Sequence, residues 1–351
     1  MRTFMNWKLI ITALVSLGTV VGCGKSPSDE PGDLVDPDGR FRVTFSVRSV
    51  SKTKAAVTPY EDAITSLDVV AFRTTDGKLE GHARSTNVGR VTVSLTGGEE
   101  VNYYVVANAP EGTISGFARE SAFLAGMTHL SQSTATSLVM QGGGTMRVTK
   151  REDPVKVYVD RYVSKVSVES VSVKFMDEST PPSVTLRRVA LVNAVGSTPW
   201  SMIPTAEGVE WYNKMGDMYA PGSGASAAER NVADMLIADY GISITSSAAV
   251  SLDKSLYAMP NPTDNAVYRT THPEWSVRDT RVAVELLIDG VSNWYPVNLP
   301  KMQSNHHYII RNMTVLGHGV ENPDDPVERA EVEFEIIVEE WGEHPIDVDF
   351  S

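Results

Sequence analysis

From Phe41 onward, apolar and polar residues alternate in short runs, each closed by a turn signal. In Phe41–Val47, Phe41, Val43, Phe45 and Val47 fall on one face and Arg42, Thr44 and Ser46 on the other, the period of a half-buried β-strand. "SLDVVAF", "RVTVSL", "NYYVVANAP", "SVTLRRVALVNA", "TRVAVELLIDG", "HYIIRNMTVLG" and "AEVEFEIIVEEW" repeat the theme, and "VKVYVDRYVSKVSVESVSVKF" is a long β-branched run of the same kind. Asp76-Gly77 is a hairpin signal. Helix is sparse: "ARESAFLAGMTHL" is one candidate, and "SAAERNVADMLIADYG" is better. In the latter, Ser226 and Glu229 form a capping box, Val232, Met235 and Leu236 share a face, and Gly241 can close the helix, which predicts helix from about Ser226 to Tyr240. Many short strands at regular spacing point to a mainly β protein built of sandwiches, with one or two short helices. The Pro-Pro break in "DESTPPS" divides residues 41–180 from residues 181–351, giving two β-sandwich domains of ordinary size.

The strand at the front is followed at once by a basic, small-residue stretch, with Arg48, Lys52 and Lys54 and almost nothing to bury. Such a segment suits a protease better than a core. Ahead of it, residues 24–39 are rich in Pro, Gly, Asp and Ser and read as part of a flexible tether, residues 23–40. Residues 1–22 read as an export signal: Arg2 and Lys8 give a positive start, and Leu9–Val21 is apolar but short for a membrane span. The signal ends Val20-Val21-Gly22-Cys23, a bacterial lipobox in which Cys23 is acylated and becomes the first mature residue.

Composition narrows the choice of chemistry. The chain is 42% hydrophobic and 21% charged, the profile of a folded protein. Its formal charge is −13, so a nucleic-acid partner, which needs a basic face, is not expected. A single cysteine excludes intramolecular disulfides and cysteine zinc cages. "GCGKS" ends like a phosphate-binding loop, but Thr19 stands where that loop needs glycine. His306-His307 sits on a strand, where adjacent residues face opposite ways and cannot readily share a metal. "NPDDP" (residues 322–326) lacks the ligand periodicity of a calcium loop, and "QGGGT" (residues 141–145) reads as a flexible turn with no lysine behind it. No catalytic, cofactor-binding or metal-binding residue is assigned, and no cofactor is expected.

Taken together, "ITSLDVVAF" with "DGKL", "YYVVANAP", "DRYVSKVSV", "LRRVALVNA", "LYAMPNP", "WYPVNL", "NHHYIIRNMTVLGHG" and "VEFEIIVEEW" stand in the order seen in the fimbrillin family. The chain resembles these subunits of Bacteroidales pili over nearly its whole mature length. The resemblance implies two transthyretin-like β-sandwich domains and export as a lipoprotein to the outer membrane. It also implies proteolytic removal of the first strand, and polymerisation by a strand received from another subunit. Phe41, Val43, Phe45 and Val47 then line a placeholder strand. The donor the resemblance implies is residues 342–351, where Ile346, Val348 and Phe350 alternate with Asp347 and Asp349; by pattern alone the tail reads equally as a final strand paired within its own domain. The family's Arg-Ala cleavage pair aligns here with Lys54-Ala55, and Arg48-Ser49 is the nearest arginine site. The expected partners are other copies or related pilus subunits, and a host or bacterial surface ligand. Two alternatives stand beside this: an uncut anchor subunit of the same pilus, and a monomeric surface lipoprotein that binds glycan or host protein.

Overall fold

The computed structural model describes residues 34–49, 60–87, 89–175, 182–205, 208–219, 226–245, 248–263, 279–325 and 332–341. Along the chain come β1 (Phe41–Ser49), β2 (Leu67–Arg73), β3 (Leu79–Ser85), β4 (Arg90–Leu95) and β5 (Glu100–Ala107), then helix α1 (Glu120–Ala125). Next are β6 (Met127–His129), β7 (Met140–Arg147), β8 (Val155–Arg161), β9 (Ser164–Val168) and β10 (Ser170–Val173). They are followed by β11 (Val184–Val192), β12 (Ala194–Val195), β13 (Ser197–Pro199) and β14 (Trp211–Tyr212). Helices α2 (Ala227–Asn231) and α3 (Ala233–Leu236) lead into β15 (Ile237–Ile244), β16 (Val250–Ser251) and β17 (Ser255–Ala258). The chain continues through β18 (Arg281–Ile288), β19 (Val291–Asn298), β20 (His306–Val315) and β21 (Val332–Glu340).

Seven of these form one sheet in the order β3-β2-β5-β7-β8-β1-β4. Its two end strands are bolted together, because Arg40 Nη2 donates to Glu80 O on β3 at 2.6 Å and to Ser94 O on β4 at 2.7 Å. A second sheet runs β16-β10-β20-β9-β17 with β21 added on β20, and a third runs β15-β11-β18-β19. The passage between sheets falls at Tyr162-Val163, so β9 and β10 join the sheets of the later residues. The architecture is mostly β and sandwich-like, with few helices, and one buried apolar cluster runs from Val43 to Trp341. Leu186 and Leu191 of β11 and Val282, Val284 and Leu286 of β18 belong to it, together with Val166, Tyr308 and Ile310 of the second sheet.

Local chemistry accounts for most of the elements. The Asp76-Gly77 turn joins β2 to β3 with Gly77 at φ 66°, a conformation side chains resist. The Ser226–Glu229 capping box is formed and Val232, Met235 and Leu236 are buried, yet the helix stops at Leu236. Residues 237–240 belong to β15 instead, because that edge pairs with β11 from Ala190↔Ile237 onward and the ladder overrides local helix preference. "QGGGT" is also a correction: it lies inside β7 and pairs with β5 from Ala107↔Met140 to Glu100↔Arg147. Crowding, not flexibility, selects its glycines. A Cβ on Gly142 would lie 1.8 Å from Tyr158 O, and one on Gly143 would lie 2.3 Å from Tyr103 O.

Candidate functional site

β1 is an interior strand assembled from distant parts of the chain. It pairs antiparallel with β4, from Phe41↔Leu95 to Ser46↔Arg90, and parallel with β8, from Phe45↔Val155 to Ser49↔Val159. The alternation read from the sequence is the alternation of burial. Val43 and Phe45 are fully buried, Val47 is buried, and Phe41 packs against the core while half-covered. The Phe45 ring lies 4.9 Å from that of Tyr103 on β5. On the other face Thr44 and Thr92 share a hydrogen bond of 2.8 Å between hydroxyls.

β7 covers little of β8's other side, pairing with it only at Met140↔Arg161 and Gln141↔Asp160. Along the rest of β8 the ladder partner is therefore β1. Removing β1 would bare the edges of β4 and β8 and open a trough floored by Val91, Val93, Leu95, Val157 and Val159, all buried now. Arg48 lies within the β1–β8 ladder, opposite Tyr158. Lys54 and Ala55, Cys23, and the tail residues Ile346, Val348 and Phe350 lie outside the described residues.

A second feature ties the trough to both neighbouring segments. Glu61, just past the basic stretch, is 1% exposed and accepts from Lys165 Nζ at 2.8 Å and from the Tyr257 hydroxyl at 2.5 Å. Arg161, the last residue of β8, is 2% exposed, pairs with Asp62, and donates to Trp341 O at 2.7 Å and Asn305 Oδ1 at 3.0 Å. Its guanidinium also stacks over the Trp341 ring at 4.3 Å. Burial lowers the Arg161 pKa to about 10, against the opposing pull of Glu61. Burial, then Glu61, raises that of Tyr257. Sequence reading missed this cluster. Its signal in the sequence is Arg161 and Lys165, two cations inside a β-branched run.

The histidine pair behaves as its strand position predicts. His306 Nδ1 meets Ser304 O at 2.8 Å, whereas His307 is buried and its Nε2 meets Ser167 Oγ at 2.8 Å. Burial first, and the nearby Lys165 second, push the His307 pKa down to about 3. Among the described residues no group of three or more His, Cys, Asp or Glu could hold a metal ion. Residues 322–325 form a turn.

One family model matches part of the chain. Residues 41–188 match the family model of the major fimbrial subunit protein, FimA. The fimbrillin resemblance read from the ordered motifs therefore stands. Three solved structures share the fold of the chain. A fimbrilin (fimA) from Porphyromonas gingivalis W83 has a TM-score of 0.58 at 17% identity, over 86% of this chain and 97% of that one. A protein assigned to cell adhesion from Bacteroides eggerthii DSM 20697 gives 0.63 at 16% identity, over 86% and 96%. Another such protein, from Parabacteroides distasonis ATCC 8503, gives 0.59 at 15%, over 86% and 99%. No curated protein sequence matches the chain. The family match begins at Phe41, the first residue of β1.

Proposed function

We propose that the protein is a structural subunit of a cell-surface fimbrium, exported as a lipoprotein through Cys23 and polymerised by exchange of β1 for a strand of another subunit. One observation carries the reading: an N-terminal strand fills an interior position between β8 and β4, and a basic, small-residue segment follows it directly. Three buried side chains at about 1.5–3 kcal/mol each make the empty trough strongly unfavourable in water. Bared ladder edges add to that. A strand supplied by a neighbour meets both needs by β-augmentation. Donor and acceptor surfaces differ, so the contact is head-to-tail and generates a filament. The donor is residues 342–351, with Ile346, Val348 and Phe350 entering the trough. The matched family is structural, and adhesion is the role this reading assigns to the filament.

The anchor reading has its own support. Arg48 is held in the β1–β8 ladder, so a protease must first open that end of the strand. Lys54 lies past the strand's end and demands a lysine-directed cut, and a subunit left uncut keeps its lipid and caps the base. N-terminal sequencing of the surface-exposed form decides between them. A start within residues 49–55, with SDS-resistant ladders, supports the polymerising subunit. A start at acylated Cys23 without ladders supports the anchor. A chain that is cut yet stays monomeric ends the strand-exchange reading in favour of a monomeric surface lipoprotein.

A further inference from the structure

The trough has a charge as well as a shape, and the strand that fills it carries no carboxylate. Outward-facing Ser46 sits between Arg90 of β4 and Lys156 of β8, each its direct cross-strand partner. Both cations are exposed and stand on the same face as Ser46. The remaining outward partners on the walls are Ser94, Thr92 and Tyr158, none of them acidic. The residues β1 carries outward opposite these walls are Arg42, Thr44 and Ser46, and no residue of β1 is acidic. Arg42 is offset by Asp36, 3.8 Å away, but Asp36 belongs to the segment that precedes β1 and would leave with it. The present occupant thus sets no carboxylate against the two cations that its walls contribute at the paired positions.

We infer that the trough selects its occupant by charge: Arg90 and Lys156 favour an incoming strand with carboxylates on its outward face, and residues 342–351 of a second copy are that strand. The inference rests on the strand-exchange reading. In "GEHPIDVDFS" every second residue from Ile346 to Phe350 is apolar and the residues between are Asp347 and Asp349. With the apolar set inward, the period of two forces both aspartates outward. A register that drops Asp347 or Asp349 into the Ser46 position brings a carboxylate between Arg90 and Lys156. A one-residue slip would instead bury the aspartates, so the same two cations help fix register. Exchange then sets a carboxylate beside both cations, where β1 offers only the Ser46 hydroxyl, and is biased toward the polymer.

The test uses the full mature chain carrying a site-specific protease sequence within residues 50–59, cut so that β1 remains bound without a covalent link. Synthetic peptide 342–351 is added, and release of the β1 fragment is followed by native mass spectrometry. The parental peptide should displace β1, and a peptide with Asp347→Asn and Asp349→Asn should do so about three- to tenfold less effectively. That difference should shrink in high salt. In a chain with Arg90→Glu and Lys156→Glu the order should invert, with an Asp347→Lys, Asp349→Lys peptide becoming the better ligand. Equal displacement by all peptides, or an order unchanged by the wall substitutions, overturns charge selection while leaving strand exchange intact. If no peptide releases β1, the strand-exchange reading and this inference fall together.

Discussion

Replacing Phe45 by alanine is the most direct probe of β1. The ring is fully buried, lies 4.9 Å from Tyr103, and occupies the one β1 position in contact with both walls at inward-facing residues, Val91 and Val155. Large-to-small changes of this kind cost about 3–5 kcal/mol through lost transfer energy and the cavity left behind. That is a large part of the roughly 5–15 kcal/mol that holds a domain folded. In the uncut chain the melting temperature should fall by about 6–10 °C, taking ~2 °C per kcal/mol for a body of this size. Once the segment after β1 is cut, the same loss falls on retention of the strand alone, and ~1.4 kcal/mol per tenfold gives a hold weaker by about a hundredfold to a few thousandfold. The assay pairs differential scanning calorimetry of the uncut chain with the dissociation rate of the β1 fragment from the cut one. Thr44→Ala is the control, since Thr44 faces outward and loses only its hydroxyl contact with Thr92, about 0.5–1.5 kcal/mol. If Phe45→Ala moves both measurements no more than Thr44→Ala, β1 is not the plug of an apolar trough.

Breaking the buried cluster with Glu61→Ala should cost about 3–5 kcal/mol by leaving Lys165 buried without its carboxylate, read as a lowered denaturation midpoint in urea. Gly142→Ala should destabilise the seven-stranded sheet by more than 1 kcal/mol, because the added methyl meets the Tyr158 carbonyl and the backbone must shift. His307 gives a pH signature: its folded pKa of about 3 lies below the ordinary 6.5, so its contribution is complete above pH 6.5 and is lost as pH falls toward 3. The slope there is at most about 1.4 kcal/mol per pH unit, and His307→Gln should flatten the stability–pH curve between pH 6 and 4 relative to the parent chain.

Strands with one buried face were the most readable, because burial on one face writes a period of two into the sequence. β1, β4 and β8 follow that rule, whereas β20 is buried on both faces from His307 to Ile310. Where the local signal failed, a partner far along the chain had decided the outcome. The capping box at Ser226 correctly starts a helix, but pairing with β11 draws residues 237–240 into an edge strand. The glycines 142–144 looked like a turn because nothing in the sequence shows that Tyr158 and Tyr103 backbones press against them. The trough was legible as a pattern, through Phe41, Val43, Phe45 and Val47. Its walls were not, since β8 lies more than a hundred residues away and a parallel pairing leaves no hairpin cue. The cluster around Glu61 gathers residues from five separate stretches, and no local spacing encodes that.

Arg161 carries a mechanical consequence. It ends β8, a wall of the trough, and it grips the carbonyl and the ring of Trp341, the residue from which the tail departs. In a filament assembled by tails entering troughs, tension arrives along β8 and leaves by the tail of the same subunit. The two points of load are joined by one strand and one side chain. Such a pull shears the ladder along β8, breaking many hydrogen bonds at once, rather than peeling them singly. The sheet built from β11, β15, β18 and β19 then carries neither point of load, and its surface is free to vary without weakening the thread.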